Sequence, residues 1–162
     1  MSKTYKAVIA IVIIAAVGYA GWYAYQARRI RAAGILSEKI VHDGDLWTAD
    51  YTARLAAPEP AVYDALRNIE KSQAPGVNKI KVISQGRNTK TIEMDLTGFG
   101  GQPLALQLAF TYDPAAQRIS YRTVDNPMLD SRADYQLEAD GGTATLITCH
   151  ATTKMLQSMP VP

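Results

Sequence analysis

Residues 47–69 read WTADYTARLAAPEPAVYDALRNI, and within this stretch the hydrophobic period changes from two to nearly four. Trp47, Ala49, Tyr51, Ala53 and Leu55 alternate with Thr48, Asp50, Thr52 and Arg54, which predicts a half-buried strand. Ala56-Ala57-Pro58-Glu59-Pro60 stops it. Val62, Ala65, Leu66 and Ile69 then share one face of a helix. Proline suits the first turn of that helix, where an N–H would be unpaired anyway, and Glu59 there complements the helix dipole. A strand that passes through a proline-bracketed junction into a short amphipathic helix sets the frame for everything downstream.

A second short helical turn is expected over Glu70–Ala74, ended by Pro75-Gly76, and from there the pattern is that of sheet. Lys79–Ile83 reads as a strand closed by Gln85-Gly86-Arg87-Asn88, and Thr91–Leu96 as its hairpin partner, with Ile92, Met94 and Leu96 facing inward. The glycines of Thr97–Pro103 bring neither a GKS or GKT signature nor a following helix, so this is a hairpin connection and not a phosphate loop. Leu104, Leu106, Leu108, Phe110 and Tyr112 give the cleanest alternation in the chain. Asp113-Pro114-Ala115-Ala116-Gln117 turns it into a strand with Ile119, Tyr121 and Thr123 inward. Ser131–Ala139 and Thr143–Met155 flank Asp140-Gly141-Gly142, a strong hairpin signal. The expected class is α+β: a curved antiparallel sheet of about six to seven strands, with short helices after strand one.

Upstream, Ala7–Tyr25 (AVIAIVIIAAVGYAGWYAY) carries no charge. As a helix it rises about 28 Å, close to the roughly 30 Å hydrocarbon core of a bilayer. Trp22 and Tyr23 suit the headgroup level, and Arg28, Arg29 and Arg31 form a basic stop. These five are the candidate membrane-interface residues. Lys3, Lys6 and Gly18-Tyr19-Ala20 also fit a cleavable signal, but the apolar run continues through Gly21–Tyr25 and arginines follow at once, which favours an uncleaved anchor. The expected organisation is an amino-terminal tail over 1–6, a transmembrane helix over 7–27, a basic stalk with helical character and a boundary turn (His42-Asp43-Gly44-Asp45) over 28–45, and a domain over 46–162. The setting is a single-pass protein of a bacterial inner membrane. Flanking Lys and Arg lean the domain towards the cytoplasm and leave the periplasm open.

About 130 residues remain behind the anchor, enough for one core. The net charge of +2 places no basic stripe on the domain, so nucleic acid is not an expected partner. Chemistry is sparse as well. No HExxH or CxxC motif and no metal-spaced cluster is present, so neither a metal nor a cofactor is expected. Cys149 lies in an apolar strand pattern and reads as a small buried hydrophobe. His150 follows it directly and therefore points to the other face, which rules out a Cys–His pair. Glu93 and Asp95 share a face, the one opposite Ile92 and Met94, and read as solvated.

The junction Tyr51–Leu66, the short helical stretch leading to Val77-Asn78-Lys79-Ile80, and the closing hairpin Leu137–Leu146 together resemble the START-like helix-grip superfamily (SRPBCC), which includes polyketide cyclase-like and lipid-transfer proteins. The resemblance spans about Trp47–Pro162 and rests on element order more than on any single residue. Two departures stand out. Lys71–Gly76 replaces a customary tryptophan-proline pair, and Ser158-Met159-Pro160-Val161-Pro162 stands where the family's long carboxy-terminal helix would begin. A sheet face bearing Trp47, Tyr51, Leu104, Leu106, Leu108, Phe110, Ile119 and Tyr121 is too apolar to stay bare, so a missing helix, another chain or the membrane is expected to cover it. The resemblance implies a cavity for an apolar molecule, with Tyr51, Leu106, Leu108, Phe110, Tyr121 and Tyr135 as candidate ligand-binding residues. The leading expectation is a membrane-tethered, non-catalytic domain that binds a lipid, quinone or similar molecule. The alternative is an accessory or structural subunit of a larger membrane complex, and a cyclase-type enzyme ranks third.

Overall fold

A computed structural model describes residues 34–71, 77–97 and 103–156. The segment 7–27 and the residues Trp22, Tyr23, Arg28, Arg29 and Arg31 lie outside them, as do residues 157–162. Among the described residues no helix is long and apolar enough to cross a membrane.

Among the described residues the sheet has eight strands, in chain order β1 (Ile35–Asp43), β2 (Leu46–Leu55), β3 (Val77–Gln85), β4 (Thr89–Thr97), β5 (Pro103–Asp113), β6 (Arg118–Thr123), β7 (Leu129–Asp140) and β8 (Ala144–Met155). One helix, α1 (Glu59–Arg67), and a 3₁₀ turn (Ile69–Lys71) follow β2. All neighbours are antiparallel, and the spatial order is β1-β2-β8-β7-β6-β5-β4-β3. Five successive hairpins thus carry the chain from β3 to β8, and β8 returns to pair with β2 along its full length, from Leu46↔Lys154 to Leu55↔Thr145.

The strand β1 corrects the sequence reading. Its residues were expected to form a helical stalk ending in a boundary turn, because Leu36, Glu38 and Lys39 are good helix formers. Pairing overrides that local preference: Glu38, Ile40 and His42 stand opposite Tyr51, Ala49 and Trp47 on one face of the sheet. Gly44 and Asp45 form a two-residue loop with φ +62 at the glycine, as II′-type hairpin turns require. The sheet therefore begins at Ile35, not at residue 46, and has eight strands where six or seven were expected. At the start of β1, Gly34 takes φ +95 and its carbonyl accepts the Arg54 N–H at 2.9 Å.

The helix α1 forms where the junction placed it, and a 3₁₀ turn follows at Ile69–Lys71; residues 72–74 of the second expected helical turn lie outside the described residues. Its start lacks a side-chain cap, but the Pro58 carbonyl takes up the N–H groups of Ala61 and Val62 at 3.0 and 3.2 Å. Nine residues make a marginal helix alone. Buried Val62, Leu66 and Ile69 join the sheet's inner face in one core, each contributing about 1.5–3 kcal/mol. The Thr145 hydroxyl donates to the Ala57 carbonyl at 2.7 Å and ties the approach to α1 onto β8.

Candidate ligand-binding site

Paired residues on adjacent strands share a face, so the register writes the inner surface as rows. One row crosses the sheet as Tyr51, Cys149, Tyr135, Ile119 and Tyr112. The next reads Ala49, Ala151, Ala133, Tyr121, Phe110 and Lys90. A third runs from Trp47 through Thr153 and Ser131, and continues from Thr123 through Leu108 to Ile92. Three alanines side by side on β2, β8 and β7 make a low floor, walled by tyrosines on one side and by Thr153 and Ser131 on the other.

The wall groups are buried and polar. Tyr51, Cys149 and Tyr135 lie within hydrogen-bonding reach of one another. Burial lifts all three titrations: the tyrosines move well above their usual 10.0 and the Cys149 thiol is pushed up to about 12. The Ser131 and Thr153 hydroxyls share a hydrogen bond of 2.9 Å. Tyr121 is 3% exposed, and its ring lies 5.5 Å from that of Phe110 and 6.2 Å from that of Tyr135. Its hydroxyl faces Ser131 and Tyr135, the residues on either side of Ala133 along β7, and lies within hydrogen-bonding reach of both. Desolvation raises its pKa too.

Of the six candidate ligand-binding residues, Tyr51, Leu108, Phe110, Tyr121 and Tyr135 meet in this one core. Leu106 is equally buried but packs apart from them, with Leu129, Leu96 and Met155. Trp47 faces inward and stacks on His42 of β1, ring centroids 3.8 Å apart. The inner face is covered, as its apolar character requires, but within this chain and not by the missing helix, second chain or membrane that was expected: Tyr51, Leu106, Leu108, Phe110, Ile119 and Tyr121 are all at most 4% exposed. Among the described residues, α1 and the 3₁₀ turn contribute to that cover. On the outer face His150 Nδ1 lies 2.5 Å from Asp50 Oδ1, so Cys149 and His150 do point apart. Glu93 accepts from Gln107 there at 3.3 Å.

The residue that sequence reading missed is Lys90. It is buried, and its ammonium donates to the Arg67 carbonyl at the end of α1 at 2.5 Å and to Glu70 Oε2 at 2.9 Å. The signal was present: Lys90 has the same parity as Ile92, Met94 and Leu96, so alternation already aims it inward. The adjacent Arg67 guanidinium donates to the Arg87 carbonyl at 2.9 Å and lies 5.9 Å from the centre of the Tyr112 ring. Together these contacts clasp the end of α1 against the β3–β4 hairpin. Among the described residues no group of three His, Cys, Asp or Glu side chains is placed to hold a metal.

No protein-family model matches the chain, and no curated protein matches it in sequence. Solved structures do match in shape. The Zhui aromatase/cyclase from Streptomyces sp. R1128 aligns with a TM-score of 0.62 at 15% identity, over 70% of this chain and 71% of that one. Ara h 8.0201 aligns with 0.56 at 14%, over 72% and 82%. A START superfamily protein from Mycobacterium smegmatis aligns with 0.54 at 15%, over 71% and 80%. At such identities the likeness shows the fold alone: the chain has a START-like, helix-grip type of fold.

Proposed function

We propose that the inner face of this sheet binds a hydrophobic small molecule, a lipid, quinone or similar compound, and that the segment 7–27 holds the domain at a membrane, with the domain on its cytoplasmic side. The observation that carries this reading is the alanine floor of Ala49, Ala151 and Ala133 between buried tyrosine and hydroxyl walls. Apolar pockets with a few placed polar groups are the usual form of small-molecule sites. A binding role without catalysis is favoured by the titrations. Proton transfer works best with a pKa near the working pH, whereas burial keeps Tyr51, Tyr121, Tyr135 and Cys149 protonated far above it.

The test is native mass spectrometry of the full chain released from mild detergent, followed by organic extraction. A bound mass of a few hundred daltons, recovered as an apolar compound, is the expected result; a chain that carries nothing and takes up no added lipid or quinone would refute the reading. A second reading, a subunit of a membrane complex, draws support from the two sheet edges. Each edge strand exposes apolar side chains, Leu36 and Val41 on β1 and Ile83 on β3, and exposed edges invite pairing with another chain. A large co-purifying assembly in the same spectrum would favour it. The cyclase-type alternative predicts turnover that Tyr121→Phe and Tyr135→Phe abolish.

A further inference from the structure

We infer that β1 is the docking edge for a second copy of this chain: the two β1 strands pair antiparallel about a two-fold axis at Val41 and join the two sheets into one. Self-pairing is independent of the ligand proposed above. It concerns one of the two edges noted there and gives that edge one partner. Parity shows which backbone groups of β1 face outward. The Arg54 N–H donates to the Gly34 carbonyl, so residues of that parity on β2 bond to β1, while Asp45, of the other parity, accepts from the Met155 N–H of β8. Val41 and Asp43, opposite Thr48 and Leu46, therefore bond to β2, and Ile40 and His42, opposite Ala49 and Trp47, turn their N–H and C=O groups to the open edge. The other edge is guarded. The register of β3 shifts between Val77 and Lys79 and again between Val82 and Ser84, and the strand carries Lys79 and Lys81, devices that keep an edge from pairing. In β1 the register runs unbroken from Ser37 to Asp43.

The side chains select the partner and the register. A two-fold axis normal to the sheet keeps each face on its own side, so a residue meets only residues of its own parity. Centring on Glu38 or Lys39 sets like charges directly against each other, which is unfavourable. Centring on Ile40 puts Lys39 against Val41 and Asp43 against Ser37, and across from Glu38 stands His42, whose ring is already stacked on Trp47. Centring on His42 puts Asp43 against Val41. Only the axis at Val41 matches charge with charge: Lys39 of each copy meets Asp43 of the other on the outer face, twice by symmetry, around the contact of the two valines. Val41 is 45% exposed. Among the described residues neither Lys39 nor Asp43 makes an ion pair, since Asp50, opposite Lys39, is held by His150. Ile40 of each copy then exchanges backbone hydrogen bonds with His42 of the other. A second copy thus supplies both the base and the acid at matching positions. The pairing is short, and the segment 7–27, by holding both copies in one bilayer as proposed above, raises the effective concentration at which they meet.

The experiment uses the full chain in its own membranes. Val41→Cys places two thiols across the axis, on Cα atoms about 4.5 Å apart, a separation that a disulfide bridges. Mild oxidation with copper phenanthroline should give a band of twice the chain mass, absent from the wild type because Cys149 is buried. Ser37→Cys is exposed on the same strand, but it meets position 45 of the other copy and lies about 27 Å from its mate, so it should not link. In the Val41→Cys chain, Lys39→Glu sets a carboxylate against Asp43 and should cut the linked fraction about ten-fold, with the urea midpoint of the monomer unchanged. Adding Asp43→Lys restores opposite charges and should restore the link. A Val41→Cys chain that fails to link, or links no better than Ser37→Cys, overturns the inference and leaves the ligand reading standing. Linking that is indifferent to Lys39→Glu, or that Asp43→Lys does not restore, overturns it as well. A disulfide from Val41→Cys to a different protein overturns self-pairing and supports the membrane-complex reading instead.

Discussion

Lys90 is a cation in a core, and its partners decide what it is worth. Removing one member of a buried pair leaves the other without compensation, at about 3–5 kcal/mol for full burial. Glu70 is 19% exposed on its side chain, so Lys90→Met is expected to destabilise by less, about 2–3 kcal/mol, read as a lower urea midpoint. Adding Glu70→Leu should recover most of that loss. If the single variant unfolds at the wild-type midpoint, the clasp contributes nothing. Cys149 gives a second residue-scale expectation. Its folded pKa of about 12 exceeds the ordinary 9.0, so the unfolded chain loses this proton first. The contribution is fully present below pH 9 and declines as pH rises through the window from 9 to 12. Stability between pH 9 and 10 is therefore expected to fall by up to about 1 kcal/mol, and Cys149→Ala should flatten this slope. Above 10 the buried tyrosines add to the decline in the same direction.

At the scale of elements, β1 is the piece with the weakest local claim to its conformation, and Gly34 secures where it starts. A Cβ on Gly34 would meet the Arg54 carbonyl oxygen at 2.6 Å, and the φ of +95 is one that L side chains rarely adopt. Gly34→Ala is expected to cost about 2 kcal/mol and to raise hydrogen exchange at the Arg54 amide, which now donates to Gly34. Gly44→Ala relieves no clash, since nothing lies within 4 Å, and pays only for the loop's positive φ, so its effect should be the smaller. Equal midpoints for the two variants would mean that β1 is not anchored at its start. The hairpins from β3 to β8 were legible in the sequence because each strand carries one apolar parity and each turn its own chemistry. The edge strand β1 was not, since Ile35–Asp43 (ILSEKIVHD) alternates poorly and its bulge between Ile35 and Ser37 breaks the parity.

At the scale of the molecule, the proposed anchor and the sheet give one geometric expectation. With the segment 7–27 as anchor, residues 28–33 are the tether between it and the start of the sheet, at most about 21 Å if extended. The end of the sheet nearest that tether also carries α1 and the turn Gly141–Thr143. Cys149 is buried and is the only cysteine of the chain, so Thr143→Cys introduces one exposed thiol. With the domain on the cytoplasmic side, an impermeant maleimide should label it only after cells are opened. Labelling of intact cells would place the domain on the outer side. Replacing Ile13 and Val17 together by arginine should move the chain out of the membrane fraction if Ala7–Tyr25 is its anchor, because each charge at the centre of a span costs about 2.5–3.5 kcal/mol.

The sequence by itself determined the α+β class, the place of α1, the hairpin order and the inward set Tyr51, Leu108, Phe110, Tyr121 and Tyr135, because period and turn residues are local properties of the chain. Only the tertiary structure decided the rest. The pairing of β2 with β8 joins residues about a hundred positions apart, and it is this register that aligns Ala49, Ala151 and Ala133 into a floor. Which lysine is buried, Lys90, depends on what stands across from it in space. No pattern along the chain encodes that distance.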